Sequence, residues 1–393
     1  MKNNLTLAVY DKLCSISQDD WERLYPVYPD SIEIINLIQD SGLEGFELYS
    51  MVIYLDSRPV IHIPLFKTSY NISNFFYGCV QKAVNAVGLI FPKIFRPTLL
   101  GIGFVESEWS QIGIDTSISE NILDKCWDLA LEKLEIFAKD IKASLISFIN
   151  FNSESINTLP LSKLKDYSSI LITPYAVLDL DYTDLEEYMS SLSKKMRKYL
   201  ARKTRTAKSV RVIKTKDPSE YIEEIYRQYL FVVNKSEIKF SRHSKYFFEN
   251  ICKYSNDAEY LLFFAEGKLL GFKLLIVKNG KLIDKYLGMS QDIALKYNMF
   301  FVSWMEVVKY CINKGIKVCL QGPTAENVKR QLECRLIPGF VIFKFRNKII
   351  QECIELLRPF LSYHPEFTGS AAELQKLKAE KIPEISIKGN GKC

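Results

Sequence analysis

The sequence predicts an α/β protein with mixed sheets, folded as two successive halves of similar element order. Three observations carry that expectation. Strand-like and helix-like segments alternate along all but a polar C-terminal tail. Tight antiparallel turn signals, among them Asn279-Gly280, punctuate the strand runs. A length of 393 residues also exceeds what one hydrophobic core usually serves, so two domains are expected.

In the first half, "GFELYSMVIYLDSRPVIHIPLF" (Gly45 to Phe66) predicts two strands joined at "LDSRP". The most apolar window, Ala86 to Val105, is broken by Pro92, Lys93, Arg96 and Pro97. It therefore falls short of the ~20 clean apolar residues of a spanning helix and is expected to be strand and turn in a buried core. A helix is predicted over residues 119–143, where Ile122, Cys126, Trp127, Ala130, Leu134, Phe137 and Ile141 recur at helical spacing. Ser117 with Glu120 offers it a capping box. "SLISFINF" (Ser144 to Phe151) then predicts a buried strand.

The second half is expected to begin near "PYAVLDLD" (Pro174 to Asp181) and to repeat this order. The basic stretch from Ser191 and the segment from Pro218 to Cys252 predict helices. Residues 259–289 predict a three-strand meander turning at Glu266-Gly267 and Asn279-Gly280. A helix over residues 298–313, stopped by Gly315, and the strand "IKVCLQG" complete the half. From His364 the chain is polar and predicts a loose tail.

Composition narrows the function. Nine scattered cysteines without a CxxC pair argue against a disulfide framework or a zinc site, and suit a reducing cytoplasm. Only three histidines occur, His62, His243 and His364. No P-loop, HExxH or Ser/His/Asp order is present, and no cysteine stands in a nucleophile context. Covalent, metal-dependent and ATP-hydrolysing mechanisms are therefore poorly supported, and no metal is expected. The N-terminal stretch lacks the apolar core of a signal peptide, so a soluble cytoplasmic protein without a membrane span is expected.

Charge is concentrated in one place. The chain has 52 Lys/Arg and 46 Asp/Glu, and eleven of the basic residues lie between Lys194 and Lys216, with no acidic residue among them. Without those eleven, 41 basic residues would face 46 acidic ones, so this segment sets the sign of the net charge. If Ser193 caps a helix, Lys194, Lys198, Arg202 and Arg205 share a stripe while Met196, Tyr199 and Leu200 fall elsewhere. Such a stripe is either a contact for phosphates of a nucleotide, CoA or tRNA, or a solvated helix face. Repulsion among uncompensated charges favours the first.

Four features carry a resemblance: the basic helix "SKKMRKYLARKTRTAK"; "FSRHSKYFFENI" leading to "EGKLLGFKLLI"; the tract "LGMSQDIALKYNMFFVSWMEVVKYCINKG"; and "VCLQGPTAENVKRQL". Together they resemble the GNAT-superfamily branch of FemA/FemB/FemX-like peptidyltransferases and the acyltransferases grouped with cellulose-biosynthesis proteins. The likeness covers residues 176–346, and residues 11–170 resemble the branch's degenerate first repeat more weakly. It implies tandem GNAT-like repeats packed side by side: a degenerate N-terminal domain over residues 1–175, an acyltransferase domain over 176–360 and a tail over 361–393. GNAT enzymes that use acyl-CoA usually hold its pyrophosphate on a Q/R-x-x-G-x-G/A turn. The corresponding residues here include Lys296, Tyr297, Asn298 and Met299, without glycine.

The resemblance also implies candidate site residues. Strand alternation puts Asp284 and Tyr286 on one face of "KLIDKYLGM" and Lys285 on the other. At the border of the acyl-transfer cleft, Asp284 would be a general base and Tyr286 a general acid or carbonyl donor. The alternative is an ordinary strand with a polar face. His243 is a further catalytic candidate, with Arg242 beside it for an anionic substrate. Gln321, Gly322, Thr324 and Lys329 offer substrate contacts, with the glycine-then-lysine spacing of the branch. Three functions follow in order: an N-acyltransferase moving an acyl group from acyl-CoA or a carrier protein to a small-molecule or peptide amine; a FemX-like aminoacyltransferase using aminoacyl-tRNA; and a non-catalytic nucleic-acid-binding relative. None implies a tightly bound cofactor, and nothing in the sequence fixes the oligomeric state.

Overall fold

A computed structural model of the chain describes residues 4–75, 86, 88, 95–235 and 240–361. The first half comprises β1 (Leu5–Tyr10), α1 (Gln18–Leu24), α2 (Ile32–Ser41), the hairpin β2 (Phe46–Leu55) and β3 (Arg58–Ser69), and β4 (Thr98–Ile102). A two-residue β5 (Gly113–Ile114), α3 (Glu120–Asp140), β6 (Leu145–Asn152) and β7 (Ser168–Asp179) follow. The second half continues with α4 (Leu185–Ser191), α5 (Lys194–Lys203), β8 (Arg211–Thr215), α6 (Ile222–Lys235) and α7 (Lys245–Tyr254). Then come the meander β9 (Ala258–Ala265), β10 (Lys268–Lys278) and β11 (Lys281–Met289), and α8 (Met299–Lys314). The described chain closes with β12 (Val318–Leu320), α9 (Glu326–Gln331), β13 (Arg335–Phe345) and α10 (Lys348–Leu361).

All thirteen strands form one mixed sheet in the order β1-β2-β3-β4-β6-β13-β7-β12-β11-β10-β9-β8, with β5 beside β3. The order reads as two mirrored series. In each, a meander ends in one parallel pair, β4 with β6 and β11 with β12. The outer strand of each half is exchanged: β7 pairs with β12 of the second half, and β13 pairs with β6 of the first. Residues 175 and 176, the expected border between the halves, both lie inside β7.

Cores on the two faces differ. Beneath α3, Trp127, Ala130 and Leu134 pack on Ile61, Ile63 and Phe148. Beneath α8, Trp304, Val308 and Cys311 pack on Leu261, Leu275 and Leu282. On the opposite face a single core runs across both halves and joins α1, α2, α6 and α7. Apolar residues recur at helical spacing in α3, and alternate in the meander strands, because each element buries one side only.

Most elements fall where the sequence predicts them; two details differ, and parts of two further expectations lie outside the described residues. Ser117 donates to Asp115 Oδ1 at 2.6 Å instead of capping α3, whose N-cap is Ser119. The basic helix ends at Lys203, passes through a 3₁₀ turn over Thr204–Ser209 and becomes the edge strand β8. Val210, Val212 and Ile213 favour extended backbone there. Of the apolar window, β4 is the expected strand, while residues 87 and 89–94 lie outside the described residues. So do residues 362–393, and with them all but one residue of the expected tail.

Candidate active site

The site starts from an irregularity in β11. Its register against β10 runs Ile276 to Ile283, Leu275 to Asp284 and Leu274 to Tyr286, so Lys285 is an extra, bulged residue. Leu274 and Leu275 are consecutive and face opposite sides of the sheet. The bulge therefore sends Asp284 and Tyr286 to opposite faces, where simple alternation predicts one shared face.

On the α8 face, Asp284 accepts from Lys273 Nζ at 2.5 Å, with both side chains almost wholly buried. Asp284 Oδ1 has no hydrogen-bond partner. On the other face, Tyr286 donates to Glu106 Oε2 at 2.5 Å. His243 Nε2 lies 2.8 Å from the same hydroxyl and 3.2 Å from Glu106 Oε2, and its ring stacks on Phe247. Burial first, then Glu106, raises the Tyr286 pKa far above its ordinary value, so its proton stays on at neutral pH. Burial alone would raise Glu106, but His243, Tyr286 and Lys285 outweigh it and hold its carboxyl below the usual range.

β11 and β12 pair only from Lys281 to Ile283 and Val318 to Leu320. Beyond them β12's continuation stays with β7, where Gln321 N donates to Ala176 O at 2.9 Å. The loop after β4 reaches both sides of the resulting gap. Lys285 Nζ donates to the Glu106 carbonyl. Ser107 Oγ donates at 2.5 Å to Asp30 Oδ2, from the turn between α1 and α2. Glu108 reaches the β12 side, where a Cβ built on Gly322 would stand 3.4 Å from its Oε2. Gly322 has φ +66°, so its lack of a side chain suits both backbone and space.

The half-buried Glu108 carboxyl forms no hydrogen bond or ion pair with the described residues. Burial pushes its pKa up to about 7; Lys285 and Lys329 oppose the rise, and Asp30 and Asp284 add to it. Lys329 is buried and donates to the carbonyls of Gln321 and, at 3.3 Å, Gly322. Burial lowers its pKa to about 8, with Asp284 opposing and Lys273 assisting. A carboxyl and an ammonium with pKa values of about 7 and about 8 thus meet at one glycine, a combination suited to moving a proton.

The structure therefore gathers Asp284, Tyr286, His243, Gln321, Gly322 and Lys329 around one region. Thr324 stays exposed on the following turn. Arg242 turns to Glu44, 3.6 Å away. At the start of α8 the expected phosphate turn is occupied by its own chain: Asn298 N donates to Leu295 O and Met299 N to Ala294 O. Lys296 pairs with Glu266 at 2.5 Å, Tyr297 donates to the same carboxylate, and the Met299 side chain is buried. Asp30, Glu106, Glu108, Lys273 and Lys285 were not expected. Lys273 and Lys285 stand within apolar strand runs, Glu106 and Glu108 in the loop "FVESEWS" and Asp30 in the turn "YPDS", with no spacing to single them out.

Ser193 caps α5 as its position predicts, its Oγ accepting from Met196 N at 3.2 Å. Met196 and Leu200 are buried, and Lys194, Lys198, Arg202 and Arg205 are exposed, Arg205 in the turn past the helix. None of the eleven cations from Lys194 to Lys216 pairs with an acidic residue among the described residues. Their surface abuts the start of α8: Thr206 Oγ1 donates to Tyr297 O at 2.9 Å, and Tyr199 meets Phe301 edge-on. Open grooves of about 380 and 520 Å³ lie elsewhere, along residues 10–16 and α2, and hold none of these groups. Proton-transfer chemistry rather than cavity size identifies the site. Among the described residues no helix is long and apolar enough to cross a membrane, and no cluster of His, Cys, Asp or Glu could hold a metal.

No protein-family model matches the sequence, and no curated protein matches it either. Solved structures do match. FemX is similar with a TM-score of 0.54 at 13% identity, over 87% of this chain and 99% of that one. The C-terminal domain of a provisionally assigned lysylphosphatidylglycerol synthetase from Agrobacterium fabrum is similar with a TM-score of 0.50 at 12% identity, over 86% and 94% of the two chains. A tandem GNAT protein from the clavulanic acid biosynthesis pathway is similar with a TM-score of 0.47 at 10% identity, over 87% and 98%. The chain has a FemX-type α/β fold.

Proposed function

We propose that the protein is an aminoacyltransferase that moves an aminoacyl group from a charged tRNA to an amine, on a small molecule or a peptide. The observation that carries this reading is the exposed cationic surface from α5 to β8, unpaired with any carboxylate among the described residues and set against the start of α8. Uninterrupted positive charge suits a phosphate backbone. The amides of Asn298 and Met299, already bonded to their own chain, suit CoA pyrophosphate poorly.

Glu108 is the proton acceptor. The amine nitrogen attacks the ester carbonyl, a C–N bond forms, and Glu108 takes the proton released from nitrogen. Lys329 donates to the carbonyl oxygen as it becomes negative. The ester C–O bond then breaks, and the proton passes from Glu108 to the departing ribose hydroxyl. Asp284 holds the charge of Lys273 beside Lys329. Tyr286 and His243 fix Glu106, whose loop carries Glu108.

A second reading, an N-acyltransferase using acyl-CoA or a carrier-protein thioester, draws on the same basic surface meeting α8, the helix that faces pyrophosphate in GNAT folds. Thermal unfolding with bulk aminoacyl-tRNA, acetyl-CoA or CoA separates the readings. A ligand at a hundred times its Kd adds about 2.7 kcal/mol. Stabilisation by tRNA is expected, weakening with salt. In the variant Lys194→Gln/Lys198→Gln/Arg202→Gln/Arg205→Gln, the slope of log affinity against log salt should shrink by about three. A shift with CoA alone overturns the tRNA reading. Binding of tRNA without transfer to any amine leaves a nucleic-acid-binding protein.

A further inference from the structure

Lys285 stands mid-strand with its side chain only 2% exposed, a place where an ammonium is costly without partners. The bulge takes it out of the alternation that gives Asp284 and Tyr286 their neighbours. Its partners come instead from the other half of the molecule. Nζ donates to the Glu106 carbonyl and lies 3.9 Å from Asp30 Oδ1, an oxygen that accepts no hydrogen bond. Burial works against its charge, but Asp30, Glu108 and Glu106 outweigh burial and raise its pKa. It therefore keeps its charge through neutral pH.

The contact is placed to matter. Glu106 is held by Lys285, Ser107 by Asp30, and Glu108 is the next residue, with no hydrogen-bond or ion-pair partner among the described residues. We propose that Lys285 is a positioning residue: from its bulge it holds the Glu106–Glu108 loop of the first half at the cleft of the second, and so fixes where the proton acceptor stands. This rests on the reading of Glu108 as that acceptor. A bulge that re-aims one lysine thus makes the chemistry depend on a contact between the halves.

Among the described residues, the charged and titratable groups facing Glu108 are Lys285, Asp284 and Tyr286 on β11, Lys329 on α9, Asp30 and Tyr28 near the α1–α2 turn, and Tyr175 on β7. Positioning and charge make opposite predictions for Lys285→Met. If only its charge matters, removal raises the Glu108 midpoint, because a nearby cation favours the carboxylate. If it holds the loop, removal releases Glu108 to water, and the midpoint falls from about 7 toward the ordinary carboxylate range.

The test titrates the full chain with ¹³C-carboxyl-labelled glutamate, assigning the Glu108 signal by its loss in Glu108→Gln. The expected result is a fall of at least one pH unit in Lys285→Met, and a midpoint near that of the native chain in Lys285→Arg. A folded Lys285→Met with an unchanged or higher midpoint overturns the proposal. If that variant does not fold, Ser107→Ala decides. An unchanged midpoint supports Lys285 as the hold; a fall transfers the role to Asp30 and Ser107 and overturns it. Failure of the underlying reading looks different: Glu108→Gln would transfer aminoacyl groups as well as the native chain, whatever the titration shows.

Discussion

Glu108→Gln should stabilise the protein at alkaline pH while removing its activity. An unfolded glutamate titrates near 4.3, whereas Glu108 in the fold is pushed up to about 7. Between those values the folded chain keeps a proton that the unfolded chain has released, so the native protein loses stability as pH rises through this window. Above about 7 the loss is complete. Over about 2.7 pH units at 1.36 kcal/mol per unit, it reaches at most about 4 kcal/mol, and partial exposure of the carboxyl reduces it. Glutamine carries no charge to bury. The variant should therefore match the native chain near pH 4.5 and exceed it by up to about 4 kcal/mol at pH 8. Urea-unfolding midpoints of both proteins at the two pH values measure the difference, in which titrating groups that do not interact with Glu108 cancel. Equal gains at both pH values, or a loss at pH 8, would mean that Glu108 is a compensated structural carboxylate, and the reasoning fails.

Two further outcomes test the frame of the site. Lys273→Met leaves Asp284 buried without its 2.5 Å partner and should cost about 3–5 kcal/mol, toward the low end because Lys329 stands near. Lys273→Met/Asp284→Leu should recover most of it, and a single-variant loss under ~1 kcal/mol would show that water reaches the pair. Gly288→Ala would place a Cβ 2.1 Å from the Phe272 ring and should lower stability by about 1–3 kcal/mol in the same urea assay. A neutral result there would mean that β10 and β11 part more easily than their register implies.

Much of the fold is legible in the sequence because it follows from periodicity. The meander turns at Glu266-Gly267 and Asn279-Gly280, and α8 stops at Gly315, since those steps need left-handed backbone. The exchange of β7 and β13 is not legible. A strand's alternation says which face is buried but not which neighbour it pairs with, and β7 and β13 are read equally well beside either half. The bulge at Lys285 is hidden for a related reason. Alternation assumes an unbroken register, and one extra residue reverses the face of every side chain after it. Hence Asp284 and Tyr286 were found as residues but assigned a shared face they do not have. Gln321, Gly322 and Lys329 are legible because they lie within one strand-to-helix turn, where the glycine-then-lysine spacing matches that of the resembled branch. Glu106 and Glu108 belong to the site only through contacts about 180 residues away in sequence, and no local pattern encodes those.

The exchanged strands and the shared loop belong to one arrangement. In the first half, β4 and β6 form the counterpart of the β11–β12 pair, over Leu99–Ile102 and Leu145–Phe148. Beyond it, the chain fills its own gap: Gly103 N donates to Pro64 O at 2.9 Å, and Ser110 N to Asn150 O at 2.6 Å. Ser110 Oγ also accepts from Phe104 N. A gap stitched from both sides differs from the open gap between β11 and β12. Yet the residues between those stitches are 104 to 109, the same ones that carry Glu106 and Glu108 to the second half. Closing one cleft and furnishing the other are thus done by a single loop. The strand exchange makes that loop's reach dependable: β7 edges the second half's parallel pair and β13 the first half's, so neither half can shift without breaking the other's ladder. Cutting the chain between the halves would strip a strand from each sheet half as well as the proton acceptor from the cleft. With Glu108 as the proposed proton acceptor, the first half would be required for the chemistry even though its own cleft is closed.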